Sequence, residues 1–191
     1  MKVWRNLATI LMCVSFAGIA LFAQARHEVN YDWAPDQLAA TFTYTVDDYS
    51  LQLSLTNLAR THLAGGGVEY SSRHFYPWEI IGAAQYSSGQ PLGQKFITVE
   101  GGAGYCRVLK GWTPYGRLLG GMARTSSGEQ MYLYTAPQWG LAFETGVGID
   151  YQFNPHWGIR GVQFENQYLP FGPRGSVYWS IGAGITYRFR P

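Results

Sequence analysis

Seven ionisable residues stand out because each sits in a stretch whose alternate positions are apolar: the acids Glu69, Glu100, Glu144 and Asp150, and the bases Arg117, Arg160 and Arg188. Such side chains can do one of two things. Two carboxylates facing each other across an open cleft can hydrolyse a bond by acid and base catalysis. Carboxylates held against guanidinium groups in a narrow space pair with them, because a buried charge without a partner is costly. A serine and a histidine two residues apart share one face of a strand, and Ser72 with His74 is the one such pair in the chain. The four histidines, His27, His62, His74 and His156, lie in separate segments and do not form a metal-ligand set. Gly65-Gly66-Gly67 and Gly101-Gly102 with Gly104 precede no helical pattern, so they are not phosphate loops. Glycine there relieves crowding and lets strands curve.

The elements that must position these charges are strands. From Val177 to Phe189 every second residue (Val177, Trp179, Ile181, Ala183, Ile185, Tyr187, Phe189) is apolar or aromatic, and those between are small, polar or charged. That is period two, the signature of a strand with two unlike faces. Seven similar stretches precede it: about Leu38 to Val46, Leu63 to Ser71, Trp78 to Tyr86, Phe96 to Val108, Trp112 to Ala123, Trp139 to Phe153 and Trp157 to Tyr168. Short turns are expected at Arg73 to Pro77, Leu109 to Gly111 and Asn154 to His156. Longer polar connections are expected at Ser87 to Lys95, Arg124 to Gln138 and Leu169 to Gly175. The Leu51, Leu53, Leu55 alternation between Asp47 and His62 fits either an extension of the first hairpin or an alternative first strand.

Strands of about ten residues with one hydrocarbon-compatible face build a transmembrane β-barrel. The fold class expected is therefore all-β, an eight-stranded antiparallel up-and-down transmembrane barrel. The phase of each strand follows from cost, since Arg or Lys facing lipid near the midplane costs about 2–4 kcal/mol. Leu141, Phe143, Thr145, Val147, Ile149, Tyr151 and Phe153 then face outward, and Ala142, Glu144, Gly146, Gly148, Asp150 and Gln152 inward. By the same test Glu69, Glu100, Arg117, Arg160 and Arg188 fall inside. Arg160 and Glu165 lie in opposite phase, and Glu165 is expected above the membrane rather than beyond a bulge. On this phase Val147→Arg blocks membrane assembly and Gly148→Ser is mild. An eight-stranded lumen is just wide enough to be filled by side chains. Pairing is then the expected chemistry, and hydrolysis is not, because no substrate enters.

Composition agrees. Aromatic residues make up 16% of the chain, glycine 24 of 191 residues, and charged residues only 14%, roughly half the globular norm. Residues 1–25 read as a cleaved secretory signal: Lys2 and Arg5 lead an apolar run from Leu7 to Phe22, closed by Ala23-Gln24-Ala25. Residues 26–191 then form the barrel. Beyond the signal only Cys106 remains, so no internal disulfide forms, and twelve basic residues balance twelve acidic ones. Nothing in that balance calls for nucleic acid. Trp78, Trp112 and Trp157 each open a strand straight after a short turn, which suits amphipathic indoles at a membrane boundary. With Tyr187 and Phe189 they form the expected aromatic girdle.

The chain resembles the small OmpA-like and OmpX-like outer-membrane β-barrels, the group described as outer membrane protein β-barrel domains. The resemblance rests on Trp112-Thr113-Pro114-Tyr115-Gly116-Arg117, on Asn154 to Arg160, and on the closing Gly182-Ala183-Gly184-Ile185-Thr186-Tyr187-Arg188-Phe189. That last segment resembles the C-terminal signal read by the barrel assembly machinery, with Gly184, Tyr187 and Phe189 in the expected places. The resemblance implies a monomer integral to the bacterial outer membrane, in contact with its lipid, and non-enzymatic. No cofactor, metal or nucleic acid is expected from the residues themselves, and the outer loops, above all Arg124 to Gln138 with Tyr132 and Tyr134, are expected to meet whatever lies outside. An interior ion-pair set of this kind is either a fixed structural network or a switchable plug for a small conductance. Two other readings follow from related barrels. Lipid A deacylases and acyltransferases share the architecture, and the deacylase type uses a neighbouring Ser and His, here Ser72 and His74. These two sit at a short turn on the periplasmic side. A soluble lipocalin-like carrier would place its apolar residues inside and carry an N-terminal Gly-x-Trp signature, which this chain lacks.

Overall fold

The computed structural model describes residues 36–47, 62–90, 94–126, 138–170 and 176–189. The leader, the stretch from 48 to 61 and the loop carrying Tyr132 and Tyr134 lie outside the described residues. Eight strands run in order: β1 (Asp36–Asp47), β2 (His62–Phe75), β3 (Trp78–Gln90), β4 (Gln94–Cys106), β5 (Trp112–Ser126), β6 (Gln138–Gln152), β7 (Trp157–Leu169) and β8 (Ser176–Phe189). Each pairs antiparallel with its neighbour, and β8 closes on β1 from Asp36↔Phe189 to Asp47↔Tyr178. The expected eight-stranded antiparallel barrel is the observed one. Closure leaves no free strand edge among the described residues.

The alternation of residue type becomes an alternation of environment. Phe42, Val68, Ile80, Val99, Leu118, Leu141, Phe143, Phe164 and Ile185 stand exposed on the outer wall, while Glu69, Glu100, Arg117, Glu144, Asp150, Arg160 and Arg188 are buried within it. This inverts the order of a water-soluble protein, in which charge is outside and hydrocarbon inside.

Several boundaries differ from the sequence reading. β2 does not stop at Ser71 for a turn beginning at Arg73. It continues to Phe75, because Arg73 points inward and donates from Nε to Glu79 Oε2 at 2.9 Å, stitching β2 to β3 below the lumen. Only Tyr76-Pro77 is left to turn. β4 ends at Cys106 rather than Val108. The chain there turns through Lys110 and Gly111, both at positive φ (46° and 92°), a conformation glycine adopts without strain. The long connection expected from Ser87 to Lys95 is largely strand, with β3 reaching Gln90 and Gly89 paired to Gln94. At the third turn Asn154 Oδ1 accepts from the backbone N–H groups of His156 (2.9 Å) and Trp157 (2.7 Å), a side-chain turn that starts β7 at its tryptophan.

β7 carries the main correction. Glu165 is inside the barrel, not above it. Between Arg160 and Gln163 the strand holds one residue more than either neighbour, a β-bulge opposite Gly148 to Asp150 on β6 and Gly184 to Gly182 on β8. The extra residue resets the phase, so Arg160 and Glu165 both point to the axis.

Candidate functional site

Among the described residues, the lumen is where charged groups of both signs converge. β2, β5, β6 and β7 bring Glu69, Arg117, Glu144 and Glu165 to one level. Arg117 Nε donates to Glu144 Oε1 at 2.7 Å, Nη1 to Glu69 Oε2 and Nη2 to Glu165 Oε1, so one guanidinium holds three carboxylates. Glu69 is shared: its other oxygen accepts from Arg160 Nη2 at 2.9 Å. Arg160 also donates from Nε to Asp150 Oδ1 at 3.0 Å, and its guanidinium lies over the Tyr115 ring at 4.7 Å. Such forked, charge-assisted contacts to planar acids are what arginine, and not lysine, provides.

Amides carry the network to both ends. Toward the turns, Gln37 Nε2 donates to Asp150 Oδ2 at 2.7 Å and Gln37 Oε1 accepts from Arg188 Nε at 3.1 Å, while Arg188 Nη2 reaches Thr113 Oγ1 at 3.3 Å. At the centre Tyr115 Oη and Arg160 Nη1 both donate to Gln163 Oε1, at 2.7 and 3.1 Å, and Gln163 Nε2 donates to Glu165 Oε1. Toward the loops, Gln167 Nε2 serves Glu144 Oε2 at 2.7 Å and Glu100 Oε2 and Gln85 Oε1 at 3.3 Å each. All seven charges expected in the interior are there. Glu100 departs from the expected mutual pairing: no cation of the described residues lies within ion-pair distance, and its Oε1 accepts no hydrogen bond. The residues that the sequence reading missed are Arg73, Glu79, Glu165 and the linking Gln37, Gln163, Gln167 and Tyr115.

Beyond the glutamines the lumen changes character. Leu63, Phe96, Ala123, Ala142, Leu169 and Tyr178 form an apolar cluster at the loop end, with Phe96 stacked on Tyr178 at a centroid distance of 4.9 Å. Period two alone marks these residues only as inward-facing. Their common height becomes visible once the register is known.

The space is full. A Cβ on Gly148 would stand 2.4 Å from Tyr115 Oη and 2.6 Å from its ring carbon. Gly148→Ser is therefore not the mild change expected, because Tyr115 occupies the volume that glycine leaves.

On the outer wall at the turn end, Trp78, Trp112, Trp157 and Phe189 are exposed. They pack in pairs: Trp78 on Tyr105 at 5.3 Å, Trp112 on Tyr151 at 4.6 Å, Trp157 on Tyr187 at 4.9 Å and Tyr187 on Phe189 at 5.2 Å. Gly184, on the same last strand, faces inward where a Cβ would stand 2.0 Å from the Ala40 carbonyl oxygen. Ser72 and His74 lie at this end too. Ser72 Oγ is 2.7 Å from His74 Nδ1, and Asp36 Oδ1 is 3.7 Å from the same nitrogen. A hydrolytic relay takes the serine proton on one ring nitrogen and orients the ring through the other. Here both partners lie on one nitrogen, which is not that arrangement. Among the described residues no group of His, Cys, Asp or Glu has metal-binding geometry, and Cys106 is buried as a free thiol.

A closed eight-stranded antiparallel barrel is the fold of the small outer-membrane β-barrels, and two solved structures share it. The chain is similar to Neisserial surface protein A (NspA), with a TM-score of 0.64 at 12% identity over 82% of this chain and 98% of that one. It is also similar to the N-terminal β-barrel domain of Pseudomonas aeruginosa OprF, with a TM-score of 0.50 at 17% identity over 82% and 98%. At such identities the likeness establishes the fold alone. No protein-family model matches the chain, and no curated protein matches it in sequence.

Proposed function

We propose that this chain is an integral, non-enzymatic barrel of the bacterial outer membrane, a closed scaffold that presents its loops at the cell surface. The observation that carries the reading is the exposed apolar wall around a charged interior. Water would expel that wall, and a bilayer matches it, since closure pairs the strands around the whole ring and leaves no open edge in hydrocarbon. Residues 1–25 direct export, and Gly184, Tyr187 and Phe189 on β8 present the assembly signal. Trp78, Trp112 and Trp157 with Tyr187 and Phe189 form the periplasmic girdle, their paired rings lying where amphipathic aromatics are favoured.

The interior is a structural network and not a conduit. The arginine-centred layer fills the middle of the lumen, and the apolar layer of Leu63, Phe96, Leu169 and Tyr178 closes it toward the loops. An ion crossing there would trade its hydration for a largely apolar lining, in which the Thr45 and Ser180 hydroxyls are already hydrogen-bonded to each other at 2.8 Å. The lipid-hydrolase reading loses its support with the crowding of Ser72 and Asp36 on one imidazole nitrogen. Interaction with an extracellular ligand then falls to the loops.

Fractionation of expressing cells tests the assignment, with gel migration of the outer-membrane fraction before and after boiling. The chain is expected in that fraction, its band shifting on heating. Recovery as a soluble periplasmic protein without a shift would overturn the reading.

A further inference from the structure

The outer wall is almost free of charge, and the exceptions are not scattered. Among the described side chains the outward strand positions carry two full cations, Lys95 on β4 and Arg124 on β5, both at the loop end. The one outward carboxylate, Asp36, is at the turn end. Lys95 pairs in register with Ser126, and Ile97 with Arg124, so Lys95 and Arg124 are diagonal neighbours flanking the Ser126 position, at about 7–8 Å. Arg124 is also the cross-strand partner of Trp139, and its guanidinium carbon lies 5.7 Å from the indole centroid. Stacking of this kind holds the guanidinium plane and leaves its N–H edge free for an oxyanion.

The height of this pair sets its surroundings. β5 runs from Trp112 in the turn-end aromatic belt to Arg124, which at roughly 3.3 Å per residue and a tilt of about 40° is about 30 Å along the axis. That is the hydrocarbon thickness of a bilayer. The two cations therefore stand at the headgroup level of the loop-side leaflet. Directly below them the wall is bare hydrocarbon, with Val99 57%, Met122 50% and Leu141 60% exposed.

We propose that Lys95, Arg124 and Ser126 form a docking site for the phosphate of an anionic lipid in the loop-side leaflet, with its acyl chains lying on Val99, Met122 and Leu141. The proposal rests on the membrane reading above. Among the described residues no acid neighbours these two cations, and together they select an anion. Their spacing admits one phosphate between them, and the apolar strip below gives acyl chains a contact that a free phosphate or a soluble acidic peptide would not use.

The test is native mass spectrometry of the full chain in detergent micelles, titrated with diphosphoryl lipid A, its dephosphorylated form and inorganic phosphate, with the heat-dependent gel shift confirming the fold of every variant. The wild type is expected to retain diphosphoryl lipid A about thirty-fold more tightly than Lys95→Gln/Arg124→Gln, because each cation near an anionic surface contributes roughly five-fold. Lys95→Arg/Arg124→Lys should keep the affinity, and removal of the lipid phosphates should abolish the difference. Equal retention by the wild type and the glutamine variant would overturn the proposal. So would binding of inorganic phosphate as tight as that of the lipid. If the chain forms no heat-shifting barrel in detergent, the membrane reading itself fails, and this proposal fails with it.

Discussion

Arg117 holds Glu69, Glu144 and Glu165 with one guanidinium, so its loss strands three carboxylates together. Removing one partner of a buried pair costs about 3–5 kcal/mol. Arg117→Ala should therefore lower stability by at least that much in urea unfolding of the detergent-solubilised barrel, and Arg117→Lys should recover only part, since an ammonium cannot fork. A stability within 1 kcal/mol of wild type would show that the network is ornamental. Glycines give a second contrast at this scale. Gly148→Ser drives a side chain into Tyr115, whereas Gly82 has nothing within 4 Å of its Cβ position. Gly148→Ser should destabilise by about 1–3 kcal/mol and Gly82→Ala hardly at all, as read from their thermal midpoints. The arginines and acids were legible because charge at alternate positions has one tolerable side. The linking amides were not: Gln37, Gln163 and Gln167 differ in no sequence feature from glutamines that face water, and their role appears when three strands bring their partners within reach.

β6 tests phase at the scale of an element. Val147 is on the lipid side between the inward Gly146 and Gly148, so Val147→Arg places a cation near mid-wall at about 2–4 kcal/mol and should abolish assembly into vesicles. The gel shift after refolding reads this directly, and normal assembly of that variant would mean that β6 is inside out. Strand identity and order were legible from period two and from the tryptophans after each turn, and the observed ends lie within a few residues of the expected ones. Two features were not legible. Arg73 extends β2 because its partner Glu79 lies across the hairpin, a pairing that composition assigns to a polar turn. The bulge between Arg160 and Gln163 was hidden because phase alone cannot distinguish a slipped register from a charge above the membrane.

Over the whole molecule the barrel is layered along its axis: Arg188 and Gln37 near the turns, the two-arginine core, a glutamine layer, and an apolar layer under the loops. The architecture was readable because a wall facing hydrocarbon and a lumen only wide enough for side chains leave few residue types for each face. The occupant of the loops was not readable, because loop sequence is free of that constraint. The central claim is that the wall faces lipid. All five tryptophans of the described residues, Trp78, Trp112, Trp139, Trp157 and Trp179, are exposed on it, and quenching of their fluorescence by brominated phosphatidylcholine after refolding into vesicles measures that contact. Strong quenching is expected, greater for bromines near the headgroup than for those at the bilayer centre, because the rings gather toward the two ends. Unquenched fluorescence from a chain that remains in solution would contradict the account.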